Sequence, residues 1–412
     1  MKVNRKNFAK SLLVKILRNR ENHNLIQETI LRITAALILT TGAISLPPDA
    51  LGMNTFIGSM ALCTSSLLNP GYLHRINSNS DKFRIGKNQA IQEFKTSLSW
   101  LLIIFPLIIF LILDVEVIVK LTSSIGYLAM YATLTFRDIQ SARMKLRDIP
   151  LRLPSRFYLL ELALGFLCCF GLAVSKQLFL IPLSTVVVCF PMLLKFELNI
   201  RTSQFLPLDK MEKKNHGYSN ISLKLMILGI VSSILMVVDN FLVFGLLGLR
   251  DLGNYGIAFA IVTLVVNIFG TSLQRNELIS NIGPIPHTSP RLLFGTFCLG
   301  LMLSLSFLVV GNLYNYQNFT SSGLLAIILC TGIPLRIRNL HMSVVIDKFG
   351  NFKDRITSLI ISISLMSIFS LVGIFVYGLV GLCVASSISY FFIGVVNTQI
   401  SRKVSFRLVE IQ

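Results

Sequence analysis

The sequence predicts an all-α, polytopic membrane protein of about twelve spanning helices. They form two six-helix bundles related by a pseudo-two-fold axis along the membrane normal. Three observations predict this. Of 412 residues, 53% are apolar and only 14% charged, where soluble domains carry roughly 25% charge. The apolar residues gather into runs of spanning length, which for a bilayer is roughly 17–25 residues. The basic residues fall almost wholly in alternate connections between those runs. A formal charge of +19, from 38 Lys and Arg against 19 Asp and Glu, first suggests an anionic partner such as nucleic acid. The apolar content excludes a soluble nucleic-acid binder, and topology accounts for the charge.

The first span, 28–46, stops at Pro47-Pro48-Asp49, and the second, 51–71, follows at once, so the pair reads as a helical hairpin. Spans 97–113 and 115–135 make a second close pair, and 157–175 with 177–195 a third. Phe196 to Ser219, with Lys210, Lys213, Lys214 and His216, is the longest polar link and lies at the chain's midpoint. Beyond it come spans 222–246, 254–273, 291–311, 322–340, 356–376 and 378–398. The organisation is therefore a basic arm over 1–27, a first bundle over 28–195 and a linker over 196–221. A second bundle over 222–398 and a tail over 399–412 complete it. Pro106, Pro182 and Pro191 fall inside spans, and Gly245, Gly248, Gly270 and Gly373 punctuate others, which permits bends.

Thirty-four of the 38 basic residues lie on one side under this topology. They occupy the amino-terminal arm, the connections after even-numbered spans and the tail; Arg336, Arg338, Lys348, Lys353 and Arg355 are assigned to the connection after span ten. Lys120, Lys176 and Arg250 are left on the other side and Arg32 within span one. The positive-inside rule then puts both termini in the cytoplasm. The basic arm lacks an apolar core and a small-residue cleavage site, so no cleavage is expected, and it reads as lying near anionic headgroups. Seven cysteines all sit inside apolar runs with no C-x-x-C spacing, as packing residues rather than disulfides or metal ligands.

The halves also repeat. Leu51-Gly52 opens span two and Leu252-Gly253 opens span eight; Leu73-His74-Arg75 and Leu273-Gln274-Arg275 close them. Leu183-Ser184-Thr185-Val186 aligns with Ala385-Ser386-Ser387-Ile388. Both halves begin on the same side, so the repeat is parallel.

Val238-Asp239-Asn240-Phe241-Leu242-Val243-Phe244-Gly245-Leu246-Leu247-Gly248 leads into Asp251-Leu252-Gly253-Asn254-Tyr255-Gly256. An aspartate inside an apolar helix, a Gly-containing turn and a glycine-tyrosine opening, here with Asn254 between Gly253 and Tyr255, resemble the seventh-to-eighth span signature of Wzx-type polysaccharide flippases. These are members of the multidrug/oligosaccharidyl-lipid/polysaccharide flippase superfamily. Lys348-Phe349-Gly350-Asn351-Phe352-Lys353, then Val376-Tyr377-Gly378-Leu379-Val380-Gly381 with Ala385, Ser389 and Tyr390, resemble that family's eleventh-to-twelfth span hairpin. The motifs cover the second half; the first half matches mainly by topology.

The resemblance implies a V-shaped, two-lobed bundle working by alternating access. The implied substrate is a polyprenyl-pyrophosphate-linked oligosaccharide, moved from the cytoplasmic to the outer leaflet of a bacterial inner membrane for O-antigen or exopolysaccharide synthesis. It implies no enzyme activity and no cofactor beyond a coupling proton or sodium ion. Expected partners are the lipid-linked substrate, membrane lipids and the polymerase and glycosyltransferases of the same pathway, without nucleic acid.

Charges within spans are costly and mark functional candidates. Arg32, with Glu28 one turn earlier, is either a cavity cation for the pyrophosphate or a snorkelling interfacial arginine. Arg75 and Arg275, related by the repeat, are either pyrophosphate-attracting residues at a cavity mouth or topological anchors. Asp239, deep in span seven, is a coupling or gating candidate, with a structural carboxylate as the alternative. Glu161 either faces the cavity in the same role or pairs with Arg156. Asn267 could bond a sugar or bridge helices. Lys120 reads as an interfacial lysine with local partners in Asp114 and Glu116.

A cation-coupled multidrug exporter of the same superfamily is the nearest alternative, and it calls for an acidic cavity where these arginines are cationic. A multispan polymerase or glycosyl transferase calls for a large outer loop with catalytic side chains. The longest outer connection here runs only from Gly311 to Ser321 and holds no paired carboxylates. No filter-like repeat suggests a channel.

Overall fold

The computed structural model describes residues 20–68, 87–114, 116–145, 155–189, 220–271, 289–314, 316–349 and 352–411. The first half contributes α1 (Arg20–Ser45), α2 (Pro48–Leu68), α3 (Lys87–Ile112), α4 (Val117–Lys145), α5 (Ser155–Ser175) and α6 (Leu180–Cys189). The second half contributes α7 (Asn220–Leu246), α8 (Leu249–Val266) with a π-helical turn at Asn267–Thr271, and α9 (Pro290–Leu313). A bent pair follows, α10a (Gln317–Cys330) and α10b (Ile333–Phe349). Phe352–Ile411 breaks at Tyr377 and Gly378 into α11 (352–376) and α12 (379–411). Among the described residues there is no strand.

Seven helices are long and apolar enough to cross a membrane, and the α10a–α10b pair makes an eighth. The shorter apolar stretches Ile33–Ser45, Leu160–Ser175 and Leu180–Cys189 lie within α1, α5 and α6. With the division between α11 and α12 they match the twelve spans read from the sequence. The chain is a multipass membrane protein, and its outward-facing side chains fit that setting: Ile103, Leu111, Phe166, Phe170, Phe294 and Phe375 are all exposed.

Local chemistry sets the helix ends. Pro48 opens α2 at a position where its missing N–H costs nothing. Gly248 joins α7 to α8 at φ 94°, and Gly378 joins α11 to α12 at φ 58°, backbone conformations that glycine adopts freely. The helices also outrun the apolar spans. α4 continues through Arg137, Arg143 and Lys145, and α12 continues to Ile411 through the segment read as a tail. No Gly or Pro interrupts Val395 to Ile411, so nothing stops the helix where hydropathy falls.

The correction of most consequence concerns span ten. Arg336 and Arg338, read as lying in the connection after it, are inside α10b. Both fall inside the 322–340 bounds read for the span but near its end, where arginines read as loop anchors; the span is bent by 53° at Thr331-Gly332 and its second helix continues to Phe349.

The two halves are the two lobes of one helical bundle. In the first, α1 packs on α5, and α4 on α2 and α3; in the second, α9 packs on α10a, and α7 and α10b pack on the α11–α12 unit. α2 meets α8 and α7 along the seam between lobes. A Cβ on Gly52 would stand 1.8 Å from the Leu249 carbonyl oxygen, and one on Gly253 would stand 2.1 Å from that of Pro48. Each would lie 3.1 Å from the other glycine's nitrogen. The contact is reciprocal, as a pseudo-two-fold through the repeat-related pair requires. Thr55 fills the space against Gly256 one turn on, and Asn240 Nδ2 donates to Ser59 Oγ at 2.8 Å across the α2–α7 part of the seam.

Candidate functional site

Asp239 sits on α7 with its side chain 2% exposed, aimed into the second lobe rather than at lipid. Three hydroxyls from three other helices donate to it. Ser370 of α11 reaches Oδ1 at 2.6 Å, while Tyr255 of α8 and Ser386 of α12 reach Oδ2 at 3.0 Å each. Desolvating a carboxylate is costly unless its lone pairs are met, and these bonds meet them. They also tie four helices of one lobe to one group, so a change in charge at Asp239 alters the packing of all four. The ligand set is entirely oxygen, which fits a proton or a sodium ion.

Around this carboxylate lies a cationic and aromatic shell. Arg336 of α10b places its guanidinium 4.6 Å from the Phe259 ring centroid and 4.3 Å from that of Tyr390, and it donates to the Tyr390 hydroxyl. Phe259 lies one turn from Tyr255, and Tyr390 one turn from Ser386, so the cation stands beside the two residues that donate to Asp239 Oδ2. Asn339, one turn beyond Arg336, donates to the Tyr390 carbonyl at 3.0 Å and so fixes α12 against α10b. Ser387 donates to the Ile328 carbonyl beside the α10 break.

The residues singled out from the sequence divide as follows. Asp239 is at the centre of the network. Glu161 is buried on α5, and Gly165 one turn later packs directly on Thr34 of α1, so Glu161 lies on the α1-facing side of α5. Asn267 is half-buried in the π-helical turn, which packs against α1 and α10b. Such π turns are frequent at functional sites. Arg32 is placed on α1 by its backbone alone. Arg75, Arg275 and the 196–219 linker lie outside the described residues. Lys120 is buried, and its ammonium rests over the Phe110 ring at 5.5 Å, with Asp114 and Glu116 exposed.

Sequence reasoning missed Arg336, Ser370 and Ser386 as site residues. Tyr255 and Tyr390 were visible only as letters of the family motifs; the structure turns the Asp239–Tyr255 part of that motif into a hydrogen bond. Among the described residues, no group of three or more His, Cys, Asp or Glu is placed to hold a metal ion.

No protein-family model matches the sequence, and no curated protein matches it. Solved structures do match. The chain is similar to the lipid II flippase MurJ in an inward closed conformation, at 14% identity over 91% of this chain and 88% of that one, with a TM-score of 0.56. It is similar to the Vibrio cholerae MATE transporter VcmN in a bent form, at 11% identity over 96% and 98%, with a TM-score of 0.57. A third match is an inward-facing multidrug-resistance MATE transporter of the MOP superfamily, at 13% identity over 93% and 96%, with a TM-score of 0.54. The chain therefore has the fold of the MATE and MurJ transporters.

Proposed function

We propose that this chain is a flippase that carries a polyprenyl-pyrophosphate-linked oligosaccharide from the cytoplasmic to the outer leaflet by alternating movement of its lobes. Both termini then lie in the cytoplasm of a bacterium and the chain in its inner membrane, serving cell-surface polysaccharide synthesis. A glycan cannot enter hydrocarbon without losing its hydrogen bonds to water, and a protein path that replaces them moves it without covalent chemistry. The observation that carries the reading is Asp239: a carboxylate buried in a membrane helix, held by hydroxyls of α8, α11 and α12. Such a group stores the charge state of the lobe, as a coupling proton or sodium ion requires. Glu161 is the corresponding acidic candidate in the first lobe, and Arg32, Arg75, Arg275 and Asn267 are the candidates for the pyrophosphate and sugar.

A second reading, cation-coupled export of a lipophilic cation, is favoured by one specific observation: buried carboxylates occur in both lobes, Glu161 and Asp239. A transport assay separates the two. Arg32, Arg75, Asp239 and Arg275 are replaced singly by Ala, and outer-leaflet glycolipid is measured in cells at matched protein levels. Loss in the Asp239 variant and in at least one arginine variant supports the flippase. Normal glycolipid in all four, with altered resistance to cationic drugs, supports the exporter.

A further inference from the structure

Arg336 carries a charge that the Asp239 network leaves unspent. A guanidinium offers five N–H donors in a planar fork, and here one bond goes to the Tyr390 hydroxyl. The faces of Phe259 and Tyr390 attract the cation without neutralising it. Among the described residues its partners are the Tyr390 hydroxyl and two aromatic rings, and none is a carboxylate. The side chain is half-buried, not sealed. It stands on the second half of a bent helix whose break packs against α12, a form of discontinuous helix that lines binding sites in transporters. A cation kept inside a membrane bundle by rings and a phenol, with most of its donors unused, is prepared for an anion.

We propose that Arg336 is the anion-binding contact of the second lobe, taking a phosphate of the lipid-linked substrate, and that its occupation is coupled to the charge on Asp239. The class of substrate rests on the flippase reading above. A phosphate on the guanidinium neutralises a cation that stacks on Phe259, one turn from Tyr255, and on Tyr390, one turn from Ser386, the two residues that donate to Asp239 Oδ2. Asp239 then favours a proton or sodium ion more strongly. By linkage, a neutralised Asp239 makes Arg336 a better anion site by the same factor. Substrate and coupling cation thus bind cooperatively within one lobe, without touching.

The test uses the full chain in nanodiscs of phosphatidylcholine, with farnesyl pyrophosphate as the probe and farnesol as the neutral control. Wild type should bind the pyrophosphate and not the alcohol. Arg336→Gln should weaken binding about tenfold or more, the loss of charge-assisted bonds. Arg336→Lys should weaken it less, because the charge remains but the fork does not. Asp239→Asn should tighten binding severalfold, and that gain should vanish in the Asp239→Asn/Arg336→Gln double variant. Melting temperatures are measured alongside to confirm that each variant is folded. Unchanged affinity in folded Arg336→Gln and Arg336→Lys overturns the site, while the flippase reading stands. Equal displacement by phosphatidylglycerol overturns the substrate assignment, leaving a headgroup site. Wild type that does not bind the pyrophosphate overturns the flippase reading and the proposal with it.

Discussion

Three hydroxyls donate to one carboxylate at Asp239, and the consequences differ with what replaces it. Asp239→Ala leaves Tyr255, Ser370 and Ser386 facing a void, at about 1–3 kcal/mol for each group left unpaired. A marked fall in melting temperature in detergent is expected. Asp239→Asn keeps the shape and one acceptor oxygen, so it should fold with a smaller fall yet lose the chargeable group and with it transport. Tyr255→Phe removes one of the two donors to Oδ2 and should cost about 1 kcal/mol, read as a melting shift well below that of Asp239→Ala. Equal shifts for the Asn and Ala variants would show that the carboxylate is not the hub of the packing. Asp239 was legible in the sequence because a charge in an apolar run is conspicuous. Ser370 and Ser386 were not, because serines are scattered through these helices, and most bond their own preceding turn, as Ser362 and Ser389 do. Arg336, near the end of the 322–340 span, was counted with the loop cations because the positive-inside pattern does not distinguish an arginine beyond a span from one within its last turns.

Among the elements, α2 and α8 decide how closely the lobes meet. The Leu51-Gly52 and Leu252-Gly253 pair was visible in the sequence as a repeat; its meaning, a backbone-to-backbone contact on the pseudo-two-fold, requires the packing of the two helices. Because a Cβ at Gly52 or Gly253 meets carbonyl oxygens and not movable side-chain tips, either Ala variant must push α2 and α8 apart. Matched phenotypes are expected: a lowered melting temperature and a longer spin-label distance between the lobes at that end. Gly58→Ala should be milder, since it meets only the Tyr127 ring. Gly245→Ala meets nothing within 4 Å and should be neutral or stabilising by up to about 1 kcal/mol, as glycine is a poor helix former. A Gly52→Ala variant indistinguishable from Gly245→Ala would contradict the seam. The break in α10 was the least legible element. Its signal, Thr331-Gly332 before Pro334, reads equally well as the end of a span.

For the whole molecule, the composition already separates a membrane bundle from a soluble basic protein, the apolar runs set the number of spans, and the alternation of charge agrees with it. What the sequence could not supply was the asymmetry between lobes. The second holds a carboxylate, an arginine and two tyrosines in one network, while at the position related to Tyr255 the first has Asn54, whose Oδ1 accepts from the Tyr127 hydroxyl at 3.0 Å. Two lobes of similar frame thus carry different chemistry at repeat-related positions. The direct measurement is made in vesicles containing the purified chain and a polyprenyl-pyrophosphate-linked oligosaccharide, scored by the share of glycan open to an external glycosidase. With wild type, nearly all of the glycan should become accessible in time, whereas with Asp239→Asn about half, the outer leaflet's share, should be cleaved. Wild-type vesicles that stay at the level of protein-free vesicles would contradict the flippase.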